Sequence, residues 1–159
     1  MSLDQFVSQQ RSAGQYDSSD VFTIDTLEMG RKMAAYQLPE RGLWLVKMVQ
    51  AAVRLEATEA QVSFGKRTLG VRFRTTREGP DAREVFEAVF KPDPNQSPAL
   101  DHLSTGLRSC LALRPQKLSL DVRGPEGGLW YQLNRQSTES GPSPASSDGL
   151  WEYSFELSR

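Results

Sequence analysis

Apolar residues return along this chain at two spacings, and the switch between them outlines its elements. From Leu45 they recur at Met48-Val49 and Ala52, and Trp44, Ala51 and Leu55 widen the same stripe, which is the three-and-four rhythm of a helix. The pattern predicts a helix over about 41–55, apolar over so much of its surface that it should be central. Its few polar residues, Lys47, Gln50 and Arg54, also fall at helical spacing. The period then drops to two: Leu69, Val71 and Phe73 alternate with Gly70, Arg72 and Arg74, after a weaker alternation from Ala60 to Phe64. With Gly65-Lys66-Arg67 between them, the two runs predict a hairpin. A helix is expected over about 80–90, with Pro80 near its first turn and Phe86, Val89 and Phe90 buried. The proline-rich stretch KPDPNQSP (91–98) reads as a loop. The next helix, about 99–113, carries Leu103, Leu107, Cys110 and Leu111 inward and is closed by Pro115.

Three strands are predicted at the end: 117–122, then 128–133 through the turn Gly124-Pro125-Glu126-Gly127, then 150–157 with Trp151, Tyr153 and Phe155 on one face. The Ser/Pro/Gly-rich stretch 136–149 between the last two is expected to be a flexible loop. At the other end, residues 1–20 read as a mobile polar arm. A short edge strand is expected at 21–25. A helix follows to about Tyr36, with Thr26 or Asp25 as its cap, Met29, Met33 and Tyr36 as its stripe, and Pro39 beyond its end. Residues 21–159 then form one domain of α+β class, a two-layer α/β sandwich whose mostly antiparallel, mixed sheet carries helices on one face.

Composition adds exclusions. With 19 basic and 20 acidic residues the net charge is −1, so no overall field recruits nucleic acid or an anionic membrane. No apolar run reaches membrane-spanning length and the N-terminus lacks an export signal, which sets the expectation of a cytoplasmic protein. One cysteine, Cys110, and one histidine, His102, leave no disulfide and no zinc set.

The order helix, helix, hairpin, helix, helix, meander resembles the nucleotide-binding domain of the GHKL family (the Bergerat fold), shared by histidine kinases, type II topoisomerase ATPase subunits, mismatch-repair ATPases and ninety-kilodalton heat-shock chaperones, and implies a bacterial protein. Three segments carry the likeness, over about 22–133. Leu45-Val46-Lys47-Met48-Val49-Gln50-Ala51-Ala52-Val53 looks like the helix on which a glutamate and, four residues later, an asparagine face the nucleotide. The strand Leu69 to Arg74 corresponds to the one carrying the adenine-reading aspartate. Ser104-Thr105-Gly106-Leu107-Arg108-Ser109 looks like the second glycine motif. The resemblance implies a cleft near Lys47, Gln50, Ala51, Arg54, Phe73, Arg74, Ser104 and Gly106.

Its departures imply lost chemistry. The general-base glutamate falls at Lys47 and the magnesium-binding asparagine at Ala51. An ammonium cannot take a proton from water, and a methyl group cannot hold a metal. The adenine aspartate falls at Phe73, which would fill the adenine site, or at Arg74 if the register slips by one. Gly106 remains, but its partner glycine is Ser104. The expectation is no enzymatic activity and no cofactor, with metal-free ATP or ADP binding as the residual option.

Other candidates are weaker. Lys47 as a direct phosphate ligand competes with a solvated lysine on a helix face. Lys66, Arg67, Arg72, Arg74 and Arg77 make the first hairpin basic, yet no aromatic is interleaved to stack bases, so a solvated sheet face is the simpler reading. His102 with Ser104 or Ser109 lacks an orienting third group. Cys110 reads as a small core residue. Of Trp130 and Tyr131, neighbours on one strand, only one can point inward, so the other is expected exposed. The leading reading is a degenerate GHKL-type domain that binds a protein partner or regulates, with a homodimer possible and neither nucleic acid nor membrane as partner. The alternatives are a nucleotide sensor that does not hydrolyse, using Lys47 and Arg54 in place of the metal, and a secretion-type chaperone or effector-binding protein of unrelated fold.

Overall fold

The computed structural model describes Lys32, which is helical, and residues 42–159. The polar arm, the strand expected at 21–25 and most of the helix expected to Tyr36 lie outside the described residues. Nine elements follow in order: α1 (Leu43–Arg54), β1 (Glu59–Phe64), β2 (Thr68–Thr75), α2 (Ala82–Phe90), α3 (Pro98–Ala112), β3 (Lys117–Gly124), β4 (Gly127–Asn134), β5 (Thr138–Ser143) and β6 (Trp151–Ser158).

Local chemistry sets the helix starts. Asp81 caps α2 in a reciprocal capping box: its carboxylate accepts from Glu84 N–H at 2.8 Å, and the Glu84 carboxylate accepts from Asp81 N–H at 2.8 Å. Pro80 therefore precedes the cap and does not occupy the first turn. Ser97 caps α3, with Pro98 in the first position, where a missing N–H costs nothing. Glu56 and Arg114 adopt positive φ, 56° and 50°, shortly after the ends of α1 and α3.

The strands form one six-stranded sheet in the order β1-β2-β6-β3-β4-β5, antiparallel throughout among the described residues. The helices lie on one face. α3 touches both α1 and α2, α1 reaches β2, and α2 reaches β3 and β4. Alternation in the strands selects the inner residues: Val71 and Phe73, Leu118, Leu120 and Val122, Tyr153, Phe155 and Leu157 are all buried. They meet Met48, Ala51, Val85, Leu103, Leu107 and Cys110 from the helices. Full burial of a Leu, Val or Phe side chain contributes about 1.5–3 kcal/mol, so this layer holds the fold together.

Three expectations are corrected. The stretch 136–149 is not simply a loop: Thr138–Ser143 is β5, paired with β4. Its Gly, Pro and Ser residues suit an edge position, which β5 holds among the described residues. Val49 is not core. Together with Val46 and Val53 it is exposed, because α1 turns Trp44, Met48, Ala51, Ala52 and Leu55 inward and these three valines lie across the helix from them. Neither Trp130 nor Tyr131 is exposed; both are half-buried. Tyr131 stacks on Phe86 at 4.4 Å on the helix side. Trp130, on the other face, lies over Gly141 of β5, where a Cβ would come within 2.9 Å of the indole nitrogen.

Candidate functional site

At one end of the sandwich the C-terminus of α1, the β2–α2 connection and the start of α3 enclose a cleft of about 570 Å³, lined by Arg54, Leu55, Arg77, Glu78, Gly79, Glu84 and Ser97 among others. Its inner wall is shut by packing. Thr75, fully buried at the end of β2, donates its hydroxyl to Leu55 O and accepts from Arg77 N–H at 3.0 Å. Tyr153 donates to Pro80 O at 3.0 Å. A Cβ on Gly79 would stand 2.5 Å from the Tyr153 hydroxyl oxygen and 2.7 Å from Leu55 Cδ2, so glycine is what lets this connection lie flat on both. Burial, with Glu84, Asp81 and Glu78 adding to it, raises the Tyr153 pKa and keeps the phenol a donor.

The start of α3, where a helix N-terminus would ordinarily receive a phosphate, is already engaged by the chain itself. Ser97 Oγ accepts from Leu100 N–H at 3.3 Å, Pro98 has no N–H, and the Asp101 carboxylate sits in the first turn. Gln96, from the preceding loop, donates to Asp101 Oδ1 at 3.1 Å and to Ser104 Oγ at 3.3 Å. Ser104 in turn donates to Asp101 O at 3.2 Å. A phosphate here would meet a carboxylate and few free donors.

The residues expected at the cleft scatter. Arg54 lines it. Lys47 is half-buried against α3, with its Cβ 3.3 Å from where a Cβ on Gly106 would be; Trp44 O and Met48 Cε press on the same spot at 3.3 and 2.9 Å. Gly106 thus serves the close approach of two helices. Ala51 has no exposed surface, and Gln50 is exposed. Ser104 is buried beneath Gln96. Phe73 does not fill the cleft: it stacks on Tyr153 at 4.9 Å and on Phe155 at 6.1 Å inside the core, because its inward parity in β2 places it two residues short of the sheet end. Arg74 points to the opposite face and pairs with Glu152 at 3.1 Å and Asp148 at 3.1 Å.

Thr75 and Gly79 were missed from sequence, and Tyr153, expected on one face of the last strand, was not linked to the cleft. Continuing the β2 alternation by two residues would have pointed to Thr75. His102, on α3, has its pKa lowered from 6.5 by burial and by Lys47 and Arg54, against an opposing pull from Asp101. Its Nδ1 has no hydrogen-bond partner. Burial pushes the Cys110 thiol far up, which suits a core residue and not a nucleophile. Among the described residues no group of three or more His, Cys, Asp or Glu side chains could hold a metal ion, and no helix is long and apolar enough to cross a membrane.

No protein-family model matches the chain, and no curated protein is similar to it. Solved structures are informative about its fold. The chain is similar to the B-subunit of the DNA gyrase from Myxococcus xanthus, with a TM-score of 0.54 over 74% of this chain and 36% of that one, at 9% identity. The six-stranded antiparallel sheet with its helical layer is a GHKL-like α/β sandwich. The chain spans about a third (36%) of the gyrase chain, and at this identity the likeness is one of fold.

Proposed function

We propose that this chain is a GHKL-like module that does not hydrolyse ATP and acts by binding a protein partner or regulating one. The observation that carries the reading is the placement of α1. Where the resemblance puts the metal-binding amide stands Ala51, sealed in the core, and where it puts the general base stands Lys47, laid along Gly106 of α3. Neither position can activate water or hold Mg²⁺ at the cleft. The capped, acid-bearing start of α3 supports the same reading. Arg54 at a cleft of about 570 Å³ favours metal-free nucleotide binding as a second reading. The secretion-type chaperone of unrelated fold is set aside, since the sheet is GHKL-like.

The test is a thermal-shift titration with ATP and ADP, each with and without Mg²⁺, alongside a phosphate-release assay. The expected result is no release above background and no shift. A ligand at a hundred times its Kd would add about 2.7 kcal/mol and move the midpoint by a few degrees. Magnesium-dependent hydrolysis would overturn the proposal. A magnesium-independent shift, lost in Lys47→Ala and Arg54→Ala, would establish the second reading in its place.

A further inference from the structure

At the end of the sandwich opposite the cleft, the start of α1, the β1–β2 tip, the α3–β3 turn, the β4–β5 turn and the end of β6 surround a groove of about 740 Å³. Five cationic side chains line it, Lys66, Arg67, Arg114, Arg135 and Arg159, and no acidic side chain does, in a chain whose overall charge is −1. All five are exposed, and none forms an ion pair with a described residue. Several arginines elsewhere are ion-paired: Arg72 and Arg74 with Glu152, Arg77 with Glu56, Arg123 with Asp121. No acidic side chain among the lining residues offsets the charge of the groove.

The frame under these side chains is hydrogen-bonded through the backbone. Gly65 N–H donates to Thr68 O at 2.7 Å, Arg159 N–H to Arg67 O at 2.9 Å and Gln116 N–H to Ser158 O at 2.9 Å, which ties the tip, the α3–β3 turn and the sheet end together. The carbonyl end of α3 also points here, which favours positive charge. A second observation is independent of charge. Arg114 holds φ at 50°, just past the helix, where glycine is the unstrained choice. An arginine at that position gives up some stability and keeps a guanidinium on the rim.

The floor is apolar, formed by Leu69, Leu113 and Leu157, with Phe64 exposed at the lip and Trp44 almost wholly covered. A single-stranded nucleic acid needs successive open aromatic faces for its bases, and only Phe64 offers one. A peptide with carboxylates on its flanks and an apolar side chain between them matches both layers, with guanidinium forks taking the carboxylates. We infer that this groove binds an acidic polypeptide segment bearing apolar side chains. The inference rests on the protein-binding reading above but uses none of the cleft residues.

The experiment is fluorescence anisotropy of the full chain with a short labelled peptide of alternating Glu and Leu, set against a Lys-Leu peptide and an oligothymidylate of equal length, at several salt concentrations. The expected result is saturable binding of the acidic peptide alone, weakening steeply with salt. In the doubly reversed variant Lys66→Glu/Arg67→Glu its affinity should fall about tenfold or more. Arg114→Gly supplies the second variant: the thermal midpoint should hold or rise while affinity falls roughly fivefold. A purely structural Arg114 would move the midpoint and leave affinity unchanged, and that result would overturn its assignment. Absence of acidic-peptide binding, equal affinity in both variants, or tighter binding of the oligothymidylate would each overturn the proposal. A failure here without ATP hydrolysis would leave the non-hydrolysing reading standing, so the two can fail separately.

Discussion

At the scale of single residues, the most instructive side chains are those whose neighbours come from another element. His102 lies on α3 and feels the positive charges of Lys47 and Arg54 on α1, and burial with those charges, against Asp101, lowers its pKa from 6.5. The sign of its effect on stability follows. As pH falls, the unfolded chain takes up the proton first, so stability declines from about pH 6.5 down through the folded value. His102→Gln should flatten the decline across that window in urea midpoints measured from pH 7.5 to 5, and an unchanged profile would show that His102 is not its source. Nothing in the sequence around His102 announced this, because Lys47 and Arg54 lie some fifty residues away. Cys110 was legible, since it falls in the apolar stripe of α3 and is buried there.

At the scale of elements, the joint between α2 and α3 depends on one charge. Arg108 is almost completely buried, and its guanidinium donates to Val89 O and to Ala88 O, both at 2.8 Å. These are among the last carbonyls of α2, which have no partner within their own helix. Burial lowers the Arg108 pKa while Asp101 pulls the other way. Arg108→Met keeps much of the volume and leaves those carbonyls unpaired. Unfolding free energy should fall by about 2–4 kcal/mol on the usual penalty for unsatisfied buried groups, as read from urea denaturation; a loss below the scatter of that measurement would show that water replaces the guanidinium. In the sequence Arg108 appeared only as part of a glycine motif, a buried arginine being the exception for its type. The helices were readable because their stripes are strong. β5 was not, because TESGPS has the composition of a loop and becomes a strand by pairing along β4.

At the scale of the whole molecule, stability and charge are unevenly distributed. β6 lies between β2 and β3 in the sheet and carries Tyr153, Phe155 and Leu157 into the core, whereas every residue of β1 is exposed and β5 has a single neighbour among the described residues. Amide exchange should therefore be slowest in β6 and β3 and much faster in β1 and β5; uniform protection across the sheet would contradict this ordering. The two ends differ as well: the cleft mixes Arg54 and Arg77 with Glu78 and Glu84, while the charged side chains that line the groove opposite are all cations. By itself the sequence determined the class of fold, the helices from 43 onward, the first hairpin and the inward residues of most strands, because hydrophobic period is a local property that each element carries with it. It also set the expectation, through the resemblance alone, that Lys47 and Ala51 replace a base and a metal ligand. Only the tertiary structure decided that Phe73 stacks on Tyr153 and Phe155, that Thr75 ties Leu55 to Arg77 behind the cleft, that Gln96 and Asp101 engage the start of α3, and that Lys66, Arg67, Arg114, Arg135 and Arg159 converge on one groove. Such placements depend on where strand ends and turns meet in space, and residues tens of positions apart leave no periodic trace of that meeting.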